Sequence, residues 1–149
     1  MKVLVQRVRQ ASVTVEGAEI ASISAGLLLL VGVAVDDQAQ DADYLVRKTL
    51  SLRIFNDDKN VMNFSVRDVG ADILAVSQFT LMAETRKGNR PSYIGAARPE
   101  FARPYFDRFV QKLSQELGKP VPVGVFGADM KVSLVNDGPV TIMLDSRDK

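Results

Sequence analysis

The sequence Gly26-Leu27-Leu28-Leu29-Leu30-Val31-Gly32-Val33-Ala34-Val35 is the longest apolar stretch of the chain, and it decides the fold. A helix that spans a membrane requires about 20 apolar residues, roughly twice the length of this stretch. A short apolar run without polar interruptions is typical of a strand that is covered by other parts of the protein. The stretch therefore predicts a buried strand.

The segments around this run have the periodicity of strands. Residues 2–16 alternate between apolar and polar side chains, with a bulge indicated near Arg9-Gln10, and residues 20–23 return after a turn at Glu16-Gly17-Ala18. These segments predict an N-terminal β-hairpin. Residues 73–76 form a second apolar run, which predicts another buried strand.

Two helices are predicted. Asp36-Asp37 is a natural N-cap for a helix over about residues 38–52, and Pro99 suits the first turn of a second helix that ends at Gly118. In both segments apolar residues recur every three or four positions, as they do when a helix buries one face. The members of these stripes are Ala42, Leu45, Val46, Thr49 and Leu50 in the first helix, and Phe101, Tyr105, Phe106, Phe109, Val110, Leu113 and Leu117 in the second.

The C-terminal part of the chain again resembles strands. Residues 121–126, 131–135 and 140–144 are apolar-rich and are separated by turn signals at residues 127–129 and 137–139. Residues 56–60 are predicted to form a polar turn, since the segment lacks the glycine and glutamate of a calcium loop. The predicted fold is a single α/β domain over residues 1–149, in which mixed, largely antiparallel, barrel-like sheets are flanked by two main helices in three layers.

Composition limits the available chemistry. The chain has no histidine and no cysteine, which excludes a Ser-His-Asp or Cys-His nucleophile, a Cys/His zinc site and disulfide bonds. We expect no metal and no cofactor. A net charge of +1 excludes a surface that is basic throughout, although a local basic patch remains compatible with it. No signal peptide or membrane segment is indicated, so a cytoplasmic protein is expected.

Polar residues follow the second apolar run, where Ser77, Gln78, Phe79 and Thr80 stand in sequence. Hydroxyl groups at a strand end often only satisfy neighbouring backbone groups. The alternative is a catalytic role, for which a hydroxyl normally needs a base beside it. Backbone N–H groups near Phe79 and Thr80 offer a third role, because unpaired donors in a pocket can stabilise an oxyanion.

Two further segments have alternative interpretations. The loop with Arg86, Lys87, Asn89 and Arg90 is either a phosphate-binding loop or an ordinary solvated loop. Gly138-Pro139 is interpreted from local sequence as a turn. An X-Pro bond also adopts the cis form at little cost, and a cis bond would present two neighbouring carbonyl oxygens to an ammonium group.

Three motifs in order closely resemble the D-aminoacyl-tRNA deacylase family. They are Ser77-Gln78-Phe79-Thr80-Leu81, Lys87-Gly88-Asn89-Arg90-Pro91-Ser92 and Asn136-Asp137-Gly138-Pro139-Val140-Thr141. The opening Met1-Lys2-Val3-Leu4-Val5-Gln6-Arg7-Val8 is similar to the same family, so the resemblance spans essentially the whole chain.

The resemblance implies hydrolysis of the ester between a D-amino acid, or glycine, and the terminal adenosine of tRNA. It implies a homodimer in which a Gly-cisPro segment of one subunit enters the pocket of the other and excludes L-amino acids. It also implies that the tRNA 2′-hydroxyl activates or positions water, with Thr80 as the nucleophile the alternative within the same family. The implied roles are positioning of the terminal nucleotide for Ser77 and Gln78, the oxyanion for Phe79 and Thr80, adenine contact for Phe126 and Met130, L-rejection for Gly138 and Pro139, and tRNA contact for Arg86, Lys87, Asn89 and Arg90.

Two other functions are compatible with the same residues. An RNA-binding module would use the basic loop and the aromatic residues without turning over an ester. A metal-free serine or threonine hydrolase would act on small esters without RNA and would depend on Ser77 or Thr80.

Overall fold

The computed structural model of the chain describes residues 1–148. Two helices, a short 3₁₀ turn and seven strands make up the fold. The helices are α1 (Ala39–Ser51) and α2 (Pro99–Leu117), and the 3₁₀ turn is Phe79–Met82. The strands are β1 (Lys2–Val15), β2 (Ala18–Ile23), β3 (Gly26–Gly32), β4 (Phe55–Asn56), β5 (Met62–Phe64), β6 (Asp72–Ser77) and β7 (Met130–Asp145).

Strand β1 is the spine of the main sheet. Along one edge it pairs antiparallel with β3 through residues 2–8 and with β2 through residues 11–15, while β7 pairs antiparallel along its other edge. Strand β6 lies beside β3 and is parallel to it. The β1–β7 register shifts between Gln6 and Val8 and again between Val8 and Gln10, which confirms the bulge predicted near Arg9-Gln10.

Buried side chains lie on both faces of this sheet. On one face, residues of β1, β3 and β6 pack with Leu45 of α1 and Phe109 of α2 in the larger cluster. On the other face, Leu28 and Leu74 contact Val13 from the far half of β1, so the sheet curls over itself. A mixed, largely antiparallel, barrel-like sheet with two main helices was predicted, and this architecture confirms it.

The two helices agree closely with their predicted ranges, but Phe101 of the predicted second stripe is exposed, because it lies in the first turn of α2 away from the core, and the first cap differs. Gln38 is the N-cap of α1, and its N–H donates to Asp41 Oδ2 at 2.8 Å. Asp37 is instead buried, where it accepts the N–H of Ala34 at 2.7 Å and forms an ion pair with the terminal ammonium of Met1. A carboxylate that pairs with a buried cation is not free to cap a helix, so the predicted cap at Asp36-Asp37 was wrong.

Three strand predictions also need correction. Strand β3 ends at Gly32, and Val35 is 58% exposed, so the buried run is shorter than predicted. Residues 121–126 form no strand and contribute only an isolated bridge between Val123 and Ala75. Residues 131–135 and 140–144 belong to one continuous strand, β7, which contains Gly138-Pro139 with a cis peptide bond. Strand β7 pairs with β1 on both sides of this segment, at Asn136 and at Thr141, while residues 137–140 have no partner in β1.

The close approach of β3 and β6 depends on Gly26. A Cβ atom at this position would lie 2.1 Å from the carbonyl oxygen of Asp72, far inside van der Waals contact. The atom in the way belongs to backbone, so it cannot rotate aside. Any side chain at position 26 would therefore push the first rung of the β3–β6 pair apart.

We predict that Gly26→Ala lowers the free energy of unfolding by about 1–3 kcal/mol, the range for a clash in a packed core. Urea denaturation followed by circular dichroism measures this change. Gly95→Ala is the matched control, because its Cβ would meet its nearest neighbour at 4.0 Å. Equal stability of the two variants would contradict the proposed constraint on the β3–β6 pair.

Candidate active site

The site begins where the ladder between β3 and β6 ends. The N–H of Gln78 donates to the carbonyl oxygen of Val31 at 2.8 Å, and the chain then turns into the 3₁₀ segment. Gly32 allows this turn to lie against β3, since a Cβ there would stand 3.1 Å from the Gln78 carbonyl oxygen and from the side chains of Leu81 and Met82. The turn is thus anchored on the central strand.

Two backbone donors are left free by this geometry. Within residues 1–148, the N–H groups of Phe79 and Thr80 have no hydrogen-bond acceptor, whereas the next N–H, of Leu81, donates to the Gln78 carbonyl oxygen at 3.3 Å. Free N–H groups are expected in the first turn of any helix. Here the two free N–H groups come directly after β6 in the chain, and β6 is a buried strand.

A cavity of about 630 Å³ opens beside Phe79, the first of these two residues. Ser77, Gln78 and Phe79 line it on one side, and Phe126 and Met130 line it from a different part of the chain. Most other wall positions are apolar. This volume lies in the range of small-molecule pockets, which combine apolar walls with a few polar groups that fix orientation. The structure therefore brings together five of the residues that the sequence singled out.

Phe126 and Met130, the candidates for adenine contact, each pack against buried residues and also line the cavity. Phe126 lies 6.4 Å from Phe106 between ring centroids, and it packs against the main core. Met130 packs against the second cluster, and Gly124 makes room for it, since a Cβ there would lie 2.4 Å from the Met130 sulfur. Both side chains are half-buried, so core packing and ligand contact coexist at each.

The edge of the cavity carries an aromatic pair. The rings of Phe79 and Tyr93 meet edge-to-face with centroids 4.9 Å apart, and both residues line the cavity. Thr80 is exposed and does not line it; its hydroxyl accepts a hydrogen bond from the Gln78 side-chain amide. Thr80 is thus the one member of the Ser77–Thr80 group that points elsewhere.

The remaining predicted residues lie outside the cavity. Arg86, Lys87, Asn89 and Arg90 are on an exposed loop whose base is held by a bridge between Glu84 and Ser92. Gly138 and Pro139 are exposed on β7 and do not line the cavity either. The role of the loop in tRNA contact and the role of Gly138 and Pro139 in L-rejection stay predictions.

Arg7 is a residue that the sequence analysis missed. It is 7% exposed, and its guanidinium donates to the carbonyl oxygens of Asp137 at 3.0 Å and of Ile54 at 2.5 Å. It also lies 3.8 Å from the Asp137 carboxylate. A buried cation with several acceptors fixes the backbone that supplies them. Arg7 therefore holds the segment that leads into Gly138-Pro139, and the only signal in the sequence was an arginine at a core position of an alternating strand.

Tyr105 packs near the cavity, against the same small cluster of buried residues as Phe126. Burial, with a smaller contribution from Asp37, raises the pKa of Tyr105 to about 12, and its hydroxyl donates to the Gln38 carbonyl oxygen. Among residues 1–148 no group of three or more acidic side chains is placed to hold a metal ion. Over the same residues, no helix has the length and apolar character needed to cross a membrane.

Comparison with known proteins decides the family. The family model described as D-Tyr-tRNA(Tyr) deacylase matches residues 4–145. The chain belongs to this deacylase family. The expectation that it is an enzyme, a hydrolase of the deacylase class, is confirmed by the same match and by the curated relatives.

Relatives in the deacylase family are similar over their full length. A D-aminoacyl-tRNA deacylase of Chromobacterium violaceum is 65% identical, covering 99% of this chain and 98% of the relative. One from Flavobacterium johnsoniae is 57% identical, covering 100% and 99%.

Two solved structures are also similar. A c-Myc DNA unwinding element binding protein has a TM-score of 0.91 at 41% identity, covering 97% of this chain and 98% of that one. A probable eukaryotic D-amino acid tRNA deacylase has a TM-score of 0.82 at 20% identity with the same coverage, a likeness of fold alone.

Proposed function

We propose that the chain hydrolyses the ester bond of D-aminoacyl-tRNA and of glycyl-tRNA, releasing the amino acid and the tRNA. The observation that carries this proposal is the free N–H group of Phe79, a residue that lines a largely apolar cavity of about 630 Å³, with the free N–H group of Thr80 next to it in the chain. Free main-chain donors suit the oxyanion of ester hydrolysis and require no titratable side chain. Membership of the deacylase family supports the same reaction.

The reaction proceeds by addition of water to the ester carbonyl carbon. Negative charge develops on the carbonyl oxygen, which the N–H groups of Phe79 and Thr80 stabilise. The C–O bond to the ribose then breaks, and the proton lost by water is passed to the leaving ribose oxygen through the neighbouring 2′-hydroxyl. Ser77 and Gln78 position the terminal nucleotide, while Phe126 and Met130 contact its adenine.

Thr80 is a poor candidate for the nucleophile. Its side chain is exposed and accepts a hydrogen bond from Gln78. Within residues 1–148, neither Ser77 nor Thr80 forms a hydrogen bond to a lysine or a carboxylate that would serve as a base. A hydroxyl without an adjacent base is a weak nucleophile at neutral pH. This supports the tRNA 2′-hydroxyl as the group that directs water.

Selection against L-amino acids is assigned to Gly138 and Pro139. Their carbonyl oxygens would hold the substrate ammonium, so that an L-side chain collides with stiff backbone while a D-side chain points to open space. Arg7 supports this assignment, because its guanidinium holds the preceding Asp137 carbonyl. Glycine has no side chain to collide, which accounts for glycyl-tRNA as a substrate.

We assign this selecting segment, Gly138-Pro139, which we call the gate, to a second copy of the chain. Met130 and Val132, at the start of β7, line the cavity of their own chain, but Gly138 and Pro139, farther along the same strand, do not. Strand β7 pairs only with β1 in the described chain, and its free edge is suited to contact with another protein. We therefore propose a homodimer.

The basic loop is assigned to the tRNA backbone. Lys87 and Arg90 are exposed and form no ion pair within residues 1–148, while Arg86 lies 3.6 Å from Glu84. Cations without a protein partner are available to phosphates. A tRNA substrate also supports a cytoplasmic location.

We predict that Thr80→Ala retains at least a tenth of wild-type kcat/KM on D-tyrosyl-tRNA. A tRNA with a 2′-deoxy terminal adenosine loses at least a hundredfold, because the RNA supplies the hydroxyl that directs water. Release of D-tyrosine under single-turnover conditions measures both. An inactive Thr80→Ala enzyme together with a fully active 2′-deoxy substrate would instead assign the key hydroxyl to Thr80.

We predict that Gly138→Ala lowers the ratio of kcat/KM for D-tyrosyl-tRNA over L-tyrosyl-tRNA by at least tenfold. Gly138 has φ +134°, and a Cβ there would lie 2.8 Å from Val140 Cγ2 and 3.1 Å from Arg7, so the segment has to move. Gly17→Ala is the matched control, since it has φ +80° with nothing within 4 Å. An unchanged ratio in Gly138→Ala would remove the segment from chiral selection.

Mixed dimers test where the gate comes from. One subunit carries Phe79→Pro, which deletes an N–H donor, and the other carries Gly138→Ala. Two different affinity tags isolate the mixed species after co-expression. Only the Gly138→Ala subunit then has a working pocket, and we predict that it shows the wild-type ratio of D to L hydrolysis because its gate is the intact Gly138 of its partner. A ratio like that of the Gly138→Ala homodimer would place the gate within its own chain.

A further inference from the structure

The cavity wall carries an unbalanced positive charge. Among the described residues that line it, only Arg98 and Asp129 are charged. Both oxygens of Asp129 lie 2.8 Å from the ammonium of Lys131, so this carboxylate already has a cationic partner. Arg98 has no such partner. The pocket is otherwise largely apolar, so it favours a ligand with a negative group near Arg98.

Arg98 has a fixed backbone and a free side chain. It is the N-cap residue of α2, and its carbonyl oxygen accepts the N–H groups of Phe101 at 3.0 Å and Ala102 at 2.8 Å. Its guanidinium is exposed and has no hydrogen bond or ion pair with any residue in the range 1–148. The anchored backbone keeps the side chain at the cavity, and the absence of an internal partner leaves all its donors available.

The identity of the anion follows from the substrate, and this step rests on the proposed function. The amino acid contributes an ammonium group and a neutral ester, and the adenine and ribose are neutral. The first negative group of the substrate is the phosphodiester on the 5′ side of the terminal adenosine. That phosphate must lie at the mouth of any pocket that encloses the terminal nucleoside, because the rest of the RNA continues from it.

We propose that Arg98 binds this phosphodiester and thereby positions the terminal nucleoside in the cavity. A guanidinium presents two parallel N–H donors that match a phosphate. The cations of the Arg86–Arg90 loop do not line the cavity, which leaves them to phosphates farther along the RNA. Arg98 is thus a binding residue that recognises polynucleotide at the site, separate from the groups that act on the ester.

The test compares a substrate that has the phosphate with one that lacks it. The substrates are D-tyrosyl-tRNA and D-tyrosyl-adenosine, an ester of the free nucleoside with an unmodified 5′-hydroxyl. We expect Arg98→Gln to raise KM for D-tyrosyl-tRNA about tenfold with kcat unchanged, the size of one charge-assisted hydrogen bond that is equal in ground and transition states. For D-tyrosyl-adenosine we expect a change below twofold. Arg98→Lys, which keeps the charge, is expected to fall between wild type and Arg98→Gln on tRNA.

Arg103→Gln provides the matched control. Arg103 is an exposed cation on the first turns of the same helix, without a partner among residues 1–148, and it does not line the cavity. We expect it to leave KM for both substrates within twofold of wild type. An equal loss on both substrates by Arg98→Gln would assign Arg98 to the nucleoside or the amino acid, and no loss on either would leave it in solvent; each result overturns the proposal.

Direct binding separates this proposal from the proposed function. Calorimetry with adenosine 5′-monophosphate and with adenosine requires no turnover. We expect wild-type enzyme to prefer the monophosphate by about tenfold and Arg98→Gln to lose that preference. An enzyme that hydrolyses neither ester but shows this preference would refute the proposed reaction and retain the phosphate site, whereas a wild-type enzyme without the preference would refute the site.

Discussion

The arrangement of the site depends on the hydrogen bond from the N–H of Gln78 to the carbonyl oxygen of Val31, the last rung between β3 and β6. Upstream of this bond, Gly26 brings the two strands close enough for a regular parallel ladder. Downstream of it, Gly32 lets the 3₁₀ turn lie on β3. The two free N–H groups follow immediately, so their direction is set by the central sheet rather than by a flexible loop.

Sequence periodicity correctly predicted the strands and helices whose tertiary packing buries the side chains that the pattern marks as apolar. The alternation of residues 2–16 matched the observed β1, whose buried side chains enter the clusters on both faces of the sheet. The stripes of α1 and α2 matched because each helix buries one face against the larger cluster, with the exposed Phe101 as the exception. Where local and tertiary preferences conflict, the tertiary ones decide. Gly138-Pro139 is a turn signal by its chemistry, yet the chain continues on both sides as β7 because β1 pairs with the flanking residues, at Asn136 and Thr141, while residues 137–140 stay unpaired with β1. Likewise Asp37 has the chemistry of a cap but is committed to a buried ion pair.

Individual residues of the site could be predicted from the sequence, but their meeting at one cavity could not. Ser77 and Gln78 were conspicuous as polar residues after an apolar run, whereas nothing in the spacing of Phe126 and Met130 indicates that they reach the same cavity. Their role came from resemblance to a family. Neither Arg7 nor Arg98 could be singled out from the sequence, and the reasons differ. Arg7 occupies a core position of a strand, whereas Arg98 is an ordinary surface cation until the cavity beside it is known.

The donors at Phe79 and Thr80 belong to the peptide backbone, and this affects how the protein tolerates sequence change. Nineteen of the twenty amino acids carry the same N–H group, and only proline lacks it. A deep mutational scan would therefore find these positions permissive and would report the most severe losses at the glycines packed beneath them. A site of this kind depends on the backbone conformation, so substitution of its side chains leaves the N–H donors in place.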